Sequence, residues 1–207
     1  MSINIRKATV EDSPFLAQMI LQSSRAGKKD GIFDLIFGTN DDTVILPKIE
    51  ALTNTQAKAH CNFNNFLIAE MDGKSVGTLC SYEPRIATKQ AFVDALAEVG
   101  CGENCTEALD VMTCCDFGLN NRTLMFDFME ELEGFIDVGV LKTLMTKSLL
   151  TARLKGYRIG QALVEIGSLE TILFYKKLGF KQVEEKECDL YKEKFGRAGQ
   201  ILLEIEF

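Results

Sequence analysis

Apolar and polar positions alternate from Ile3 to Lys7, which places every second side chain on one face of a strand. Thr9-Val-Glu-Asp12 then carries the spacing of a capping box, and Phe15, Leu16, Met19 and Ile20 recur at helical spacing, so a helix is expected to about Ser23. Between Gly27 and Thr39, Ile32, Phe33, Leu35, Ile36 and Phe37 are too apolar for a solvated loop and predict a short helix covering a groove. Asp42 to Lys58 predicts another helix. Phe66–Glu70 and Val76–Tyr82 flank Asp72-Gly73, a dipeptide that tolerates positive φ at both central turn positions, and predict an antiparallel hairpin. From Pro84 to Glu133 the pattern predicts helices at Ala87–Val99, Thr106–Cys115 and Leu124–Leu132, separated by glycine and asparagine; this stretch, 84–133, is expected to be a helical insertion between strands.

The pattern of the last third is denser. Gly134 to Val140 is expected to be a strand and Lys142 to Lys155 a helix stopped at Gly156. Leu163, Val164 and Ile166 form a short apolar run within Gln161–Ile166, Gly167-Ser168 supplies a turn and a cap, and Leu169 to Leu178 has helical spacing. Ser168 is expected to accept from first-turn amides, and Gly179 to take the left-handed conformation of a C-terminal cap. Lys181 to about Tyr191 and Gln200 to Phe207 complete a terminal hairpin.

The chain of 207 residues is long enough to be read as one domain, 1–207. A net charge of -7 argues against a broad phosphate-binding surface, so no nucleic-acid partner is expected. No apolar run approaches the ~18 residues of a bilayer span, so no membrane partner is expected. Met1-Ser-Ile-Asn lacks the basic and apolar regions of a secretory signal, which makes a cytoplasmic location the expectation. Of the 7 cysteines, Cys101-x-x-x-Cys105 with Cys114-Cys115 could offer four thiolates to zinc. The adjacent pair is awkward for a tetrahedral site, and no metal is expected. His60 is the only histidine, and its place near a strand start suits a structural role.

The succession strand, helix, hairpin, strand, helix, strand, helix, hairpin, together with Phe174-Tyr175-Lys176-Lys177-Leu178-Gly179-Phe180, resembles the GNAT acyltransferase superfamily. The preceding Leu163-Val164-Glu165-Ile166-Gly167 looks like the strand before that helix, and Ile5-Arg6-Lys7-Ala8 with Glu11-Asp12 resembles the usual family start. The likeness covers the chain outside Gly27–Asn65 and the insertion. It implies a GNAT-like α/β (α+β) fold, with a mixed, mostly antiparallel central sheet flanked by helices. The chain departs from the family pattern [QR]-x-x-G-x-[GA], having Val140-Leu-Lys-Thr-Leu-Met-Thr-Lys147 at the expected place.

What the resemblance implies chemically is attack of a small-molecule or peptide amine on the thioester of acetyl-CoA. Amides at the start of the Lys142 helix would hold the pyrophosphate, and Val138, Val140, Lys142, Thr143, Thr146, Lys147 and Ser168 are the expected cofactor-binding residues. An amide near Val138 would steady the oxyanion, and Tyr175 would protonate the leaving thiolate. Charge distribution adds that Lys142, Lys147, Arg153, Lys155 and Arg158 occur in a stretch without Asp or Glu, which fits a local anion site. Asp127, Glu130, Glu131, Glu133 and Asp137 form an acidic block, with Glu133 or Asp137 as the base. The alternative from another class is a GNAT-fold module that binds CoA or a protein without turnover; a homodimer is compatible with either.

Overall fold

A computed structural model describes residues 2–101, 105–119 and 123–207. The chain opens on β1 (Asn4–Lys7), and Asp12 then accepts from both the amide (2.8 Å) and the hydroxyl (3.1 Å) of Thr9, the bond expected at the third capping position. Arg6 adds a two-pronged ion pair at 2.7 Å and holds the Asp12 carboxyl down to about 2. Helices α1 (Ser13–Arg25), α2 (Ile32–Phe37) and α3 (Asp42–Thr53) follow. Strands β2 (Phe66–Met71) and β3 (Lys74–Tyr82) turn at Asp72 and Gly73, with φ of 49° and 77°, as the Asp-Gly pair requires. Helices α4 (Lys89–Glu98) and α5 (Thr106–Thr113) lie between β3 and β4. Among the expected breaks, Gly102, Asn104 and Asn120-Asn121 lie outside the described residues.

Two expectations fail here. Leu124–Leu132 is not a helix: Thr123–Glu131 is strand β4, paired antiparallel with β3 and parallel with β5 (Ile159–Glu165). Leu, Met and Glu favour helix in isolation, but the segment's position between two strands satisfies its amides in ladders. The insertion therefore ends before Thr123 rather than at Glu133. Gly134–Val140 is not a strand either; a short 3₁₀ turn at Glu133–Phe135 leads to a loop, and α6 (Val140–Leu154) starts on Gly139, whose φ is 92°.

After β5 come α7 (Leu169–Lys177), β6 (Lys181–Glu187), α8 (Asp189–Phe195) and β7 (Gly199–Glu206). The terminal hairpin forms as expected, with α8 in its connection. Gly179, at φ 99°, closes α7 as expected: its amide donates to Lys176 and that of Phe180 to Tyr175, the paired bonds of a Schellman cap. The seven-stranded sheet has the order β1-β2-β3-β4-β5-β7-β6 and is antiparallel except at β4–β5, as the expected mixed sheet requires.

One side of the sheet packs α1, α2 and α3 around Leu16, Ile20, Phe33, Ile49 and Phe66; another cluster joins α6 and α7 to the strands through Leu144, Met145, Tyr175 and Phe180. Gly77 sets how closely α6 can sit. A Cβ there would lie 2.5 Å from Val140 Cγ1 and 2.9 Å from the Glu130 carbonyl oxygen. Gly77→Ala is expected to cost about 1–3 kcal/mol through overpacking, read as a lower denaturation midpoint with an unchanged slope.

Candidate functional site

The β4–β5 ladder ends at Phe126 and Ala162, although β4 continues to Glu131 and β5 to Glu165. The separation begins at a bulge. Register with β3 shifts between Thr78↔Glu130 and Cys80↔Asp127, so β4 carries one extra residue there, and Phe128 takes φ 43°. Beyond Phe126, β4 thus presents an edge not laddered to β5. A cavity of ≈ 990 Å³ runs along this edge, from Gly139, Leu141 and Lys142 at the start of α6 to Phe92, Leu109 and Met112 of the inserted helices.

Asp127 sits at the bulge and lines the cavity, with one carboxylate oxygen accepting the Phe128 amide at 2.8 Å. Burial pushes its carboxyl up to about 6, against the lowering effect of that bond. Tyr175 of α7 is 4% exposed and also lines the cavity. Its ring meets Phe180 edge-on at 5.0 Å. Burial first, and the charges of Asp127 and Glu130 next, raise its phenol well above the ordinary range, so the hydroxyl stays protonated. Glu130 is likewise raised by burial and accepts from Gln22 at 2.8 Å.

Further in, His60 packs 4.7 Å from Phe92 and 5.6 Å from Tyr82 and Phe128. Burial lowers it to about 4, so it is neutral at physiological pH and acts as an aromatic wall. On the β5 side, Glu165 is held by Lys28, by the Tyr191 hydroxyl at 2.8 Å and by Arg197 at 3.5 Å. Lys28, from the glycine-rich segment after α1, thereby closes one cavity wall across the fold. Carboxylates of Asp116, Asp127, Glu130, Glu131, Asp137, Glu165 and Glu170 outweigh the ammonium groups of Lys28, Lys89 and Lys142 along the lining.

The expected site residues separate into groups. Tyr175, Lys142, Ser168 and Asp137 all line the cavity. Asp137 and Glu133 are exposed, and Glu133 lies off the cavity lining; the half-buried carboxylates on the lining are Asp127, Glu130, Glu131 and Glu165. Val138, expected near the oxyanion, is 51% exposed and off the cavity lining, and its amide donates to the Phe135 carbonyl oxygen at 3.4 Å. Val140 is the first residue of α6, its side chain buried against Gly77. The Thr143 hydroxyl donates to Gly139 at 2.8 Å, and its amide to the same carbonyl oxygen. Thr146 and Lys147 are exposed on the second turn, outside the lining. Ser168 makes no side-chain cap bond, contrary to expectation. Arg153, Lys155 and Arg158 fall at the far end of α6 or beyond, about 20 Å from its start at 1.5 Å per residue, so they take no part in an anion site there.

The start of α6 offers the amides of Val140, Leu141 and Lys142 toward the cavity mouth, which is a donor set for a diphosphate. Glu131 now accepts the Leu141 amide; burial raises this carboxyl while that bond lowers it. Asp127, Glu165 and Lys28 were missed as a group. The signal available for Asp127 was a lone carboxylate between Phe126 and Phe128.

No protein-family model and no curated protein sequence matches the chain. Solved structures do. An N-acetyltransferase from Staphylococcus aureus Mu50 superposes with a TM-score of 0.72 at 16% identity, covering 98% of this chain and 100% of that one. The PaiA N-acetyltransferase of Thermoplasma acidophilum in complex with coenzyme A gives 0.57 at 15% identity over 100% of both chains. A GCN5-related N-acetyltransferase from Kribbella flavida gives 0.60 at 14% identity over 99% and 98%. These superpositions, with the mixed, mostly antiparallel sheet flanked by helices, show that the chain has the GNAT N-acetyltransferase fold.

Proposed function

We propose that the chain is an N-acyltransferase that moves an acetyl group from acetyl-CoA to a primary amine by direct attack on the thioester. The observation that carries this reading is the gap between β4 and β5, where the enclosed carboxylate of Asp127 and the protonated phenol of Tyr175 share one cavity. The donor's diphosphate would lie on the Val140, Leu141 and Lys142 amides after displacing Glu131, and an amide on the unladdered β4 edge would face the thioester oxygen. Asp127 takes a proton from the ammonium, directly or through water, and frees the nitrogen lone pair. As the C–N bond forms and the C–S bond breaks, Tyr175 donates its proton to the departing sulfur, and the second proton of the acylated nitrogen leaves through water to restore the phenol; the proton held by Asp127 is released to solvent.

The acidic lining favours a cationic acceptor, and the wall of His60, Tyr82, Phe92 and Phe128 favours one with an apolar body. Enclosure by α4 and α5 supports a small-molecule amine over a peptide. Glu131 on the Leu141 amide is the observation that favours the second reading, a fold retained for binding without turnover. Acetyl-CoA at millimolar concentration is expected to raise the melting temperature; at a hundred times Kd the added stability is about 2.7 kcal/mol. No rise would sink the enzyme reading, and a rise without turnover over a panel of amines would favour the second. Glu131→Gln removes the competing anion, so CoA should bind several-fold more tightly by calorimetry; weaker binding would mean that Glu131 orders the loop instead.

A further inference from the structure

We propose that Cys114, Cys115 and Cys188 form a three-thiolate site for a thiophilic d10 cation of the zinc(II) class, tying the helical insertion to the terminal hairpin. Cys114 and Cys115 follow the end of α5, whereas Cys188 precedes α8 at the close of β6, yet their sulfur atoms all lie within 4.8 Å of one another. The Cys114 and Cys115 sulfurs are 3.9 Å apart. Thiolates about 2.3 Å from one zinc, at angles between tetrahedral and trigonal, are separated by ~3.8–4.0 Å. The adjacency that makes this pair awkward in the sequence is therefore no obstacle in the fold, and only Cys188 needs to close in slightly.

Burial raises the Cys114 and Cys115 thiols, and the Cys115 thiol donates to the Lys186 carbonyl oxygen at 3.5 Å, a bond that a metal ion would replace; backbone donors nevertheless reach two of the three sulfurs. Amides of Leu190 and Tyr191 point at the Cys188 sulfur and that of Gln200 at Cys115, as peptide donors do around bound thiolates. Three thiolates on a divalent ion leave a net charge of -1; Lys186 meets the cluster through its carbonyl oxygen, and its ammonium lies on the Asp116 carbonyl oxygen, the Phe117 ring and the Glu184 carboxylate. The remaining cysteines are committed elsewhere. Cys101 and Cys105 form a disulfide, Cys61 is fully buried, and the Cys80 thiol donates to the His60 carbonyl oxygen at 3.2 Å. The apolar packing around the three thiols is small, built on Phe117, Leu119, Leu163 and Leu202, and a shared ion would add to the ties that Lys194 makes to Glu107 and Lys186 to Asp116. Each thiol gives up its proton to solvent on binding, and no oxidant or reductant is needed. Leu109, Met112 and Asp116 carry the consequence to the cavity wall, because the same inserted segment supplies them.

The test uses the full chain, reduced and then freed of reductant under inert gas. Titration with cadmium(II) is expected to give an ultraviolet thiolate-to-metal band that saturates at one equivalent, and zinc(II) should abolish it by displacement. One equivalent of zinc(II) should also raise the melting temperature. Cys188→Ser keeps a good helix cap and is expected to weaken cadmium binding at least about tenfold and to remove the zinc-dependent thermal rise; Cys114→Ser should act alike. The Cys101→Ser/Cys105→Ser double variant should retain the full band. No band at one equivalent in the parent chain overturns the proposal, as does an unchanged band in both Cys188→Ser and Cys114→Ser with native circular dichroism. Loss of the band in the double variant would move the site to Cys101 and Cys105 and overturn it equally.

Discussion

Asp127→Asn is expected to lower turnover by about 10²–10⁴, the usual worth of a positioned general base, while leaving CoA affinity nearly unchanged. In the parent protein, the proposed activity should climb with pH through about 6 as the Asp127 carboxylate ionises. Stability should move the other way. The folded carboxyl is raised above its unfolded value of 3.8, so its contribution is fully present below 3.8 and is lost as pH rises through about 6. At pH 8 the buried charge is a cost, and asparagine, which can still accept the Phe128 amide, removes it. Asp127→Asn should therefore melt at or above the parent temperature at pH 8, with the advantage gone by pH 4. A variant that is both inactive and markedly less stable at pH 8 would assign Asp127 a structural role instead.

Tyr175→Phe is expected to lower kcat by about a hundredfold with CoA affinity preserved, because only the proton donor is lost. The edge-on contact with Phe180 and the burial of the ring survive the substitution, so the melting temperature should hold. Equal activity in the two proteins would take Tyr175 out of the mechanism. Since burial keeps this phenol protonated above its ordinary range, an alkaline fall in rate below pH 10 would have to come from another group.

The error that mattered for chemistry came from Thr123–Glu131. Its leucine, methionines and glutamates suit a helix, which leaves Asp127 as one member of an acidic block with nothing to single it out. In the sheet, pairing on both sides overrides that preference, and the bulge at Phe128 turns Asp127 into an enclosed wall of the cavity. The helix expected to open at Lys142 begins at Val140, and of the residues expected at the anion site Thr146 and Lys147 lie on its exposed second turn, whereas Val140, Lys142 and Thr143 lie on its first. Where local physics suffices, the reading was sound. Asp72-Gly73 makes its turn, Asp12 caps toward Thr9, and Gly179 stops α7, because each depends on a few consecutive residues.

The same division runs through the thiols and the cavity. Lys28 meets Glu165 across 137 positions, and Cys188 meets Cys114 across much of the C-terminal half, separations that no spacing rule along the chain could reveal. By itself the sequence determined the hairpins, most of the helices, the Tyr175 signature and the acidic character of the chain, since periodicity, capping and charge are local properties. Only the tertiary structure decided which carboxylate is enclosed, which amides reach the cavity mouth and which cysteines meet. Those outcomes depend on strand register and on what each segment packs against, and a one-residue bulge is enough to change them.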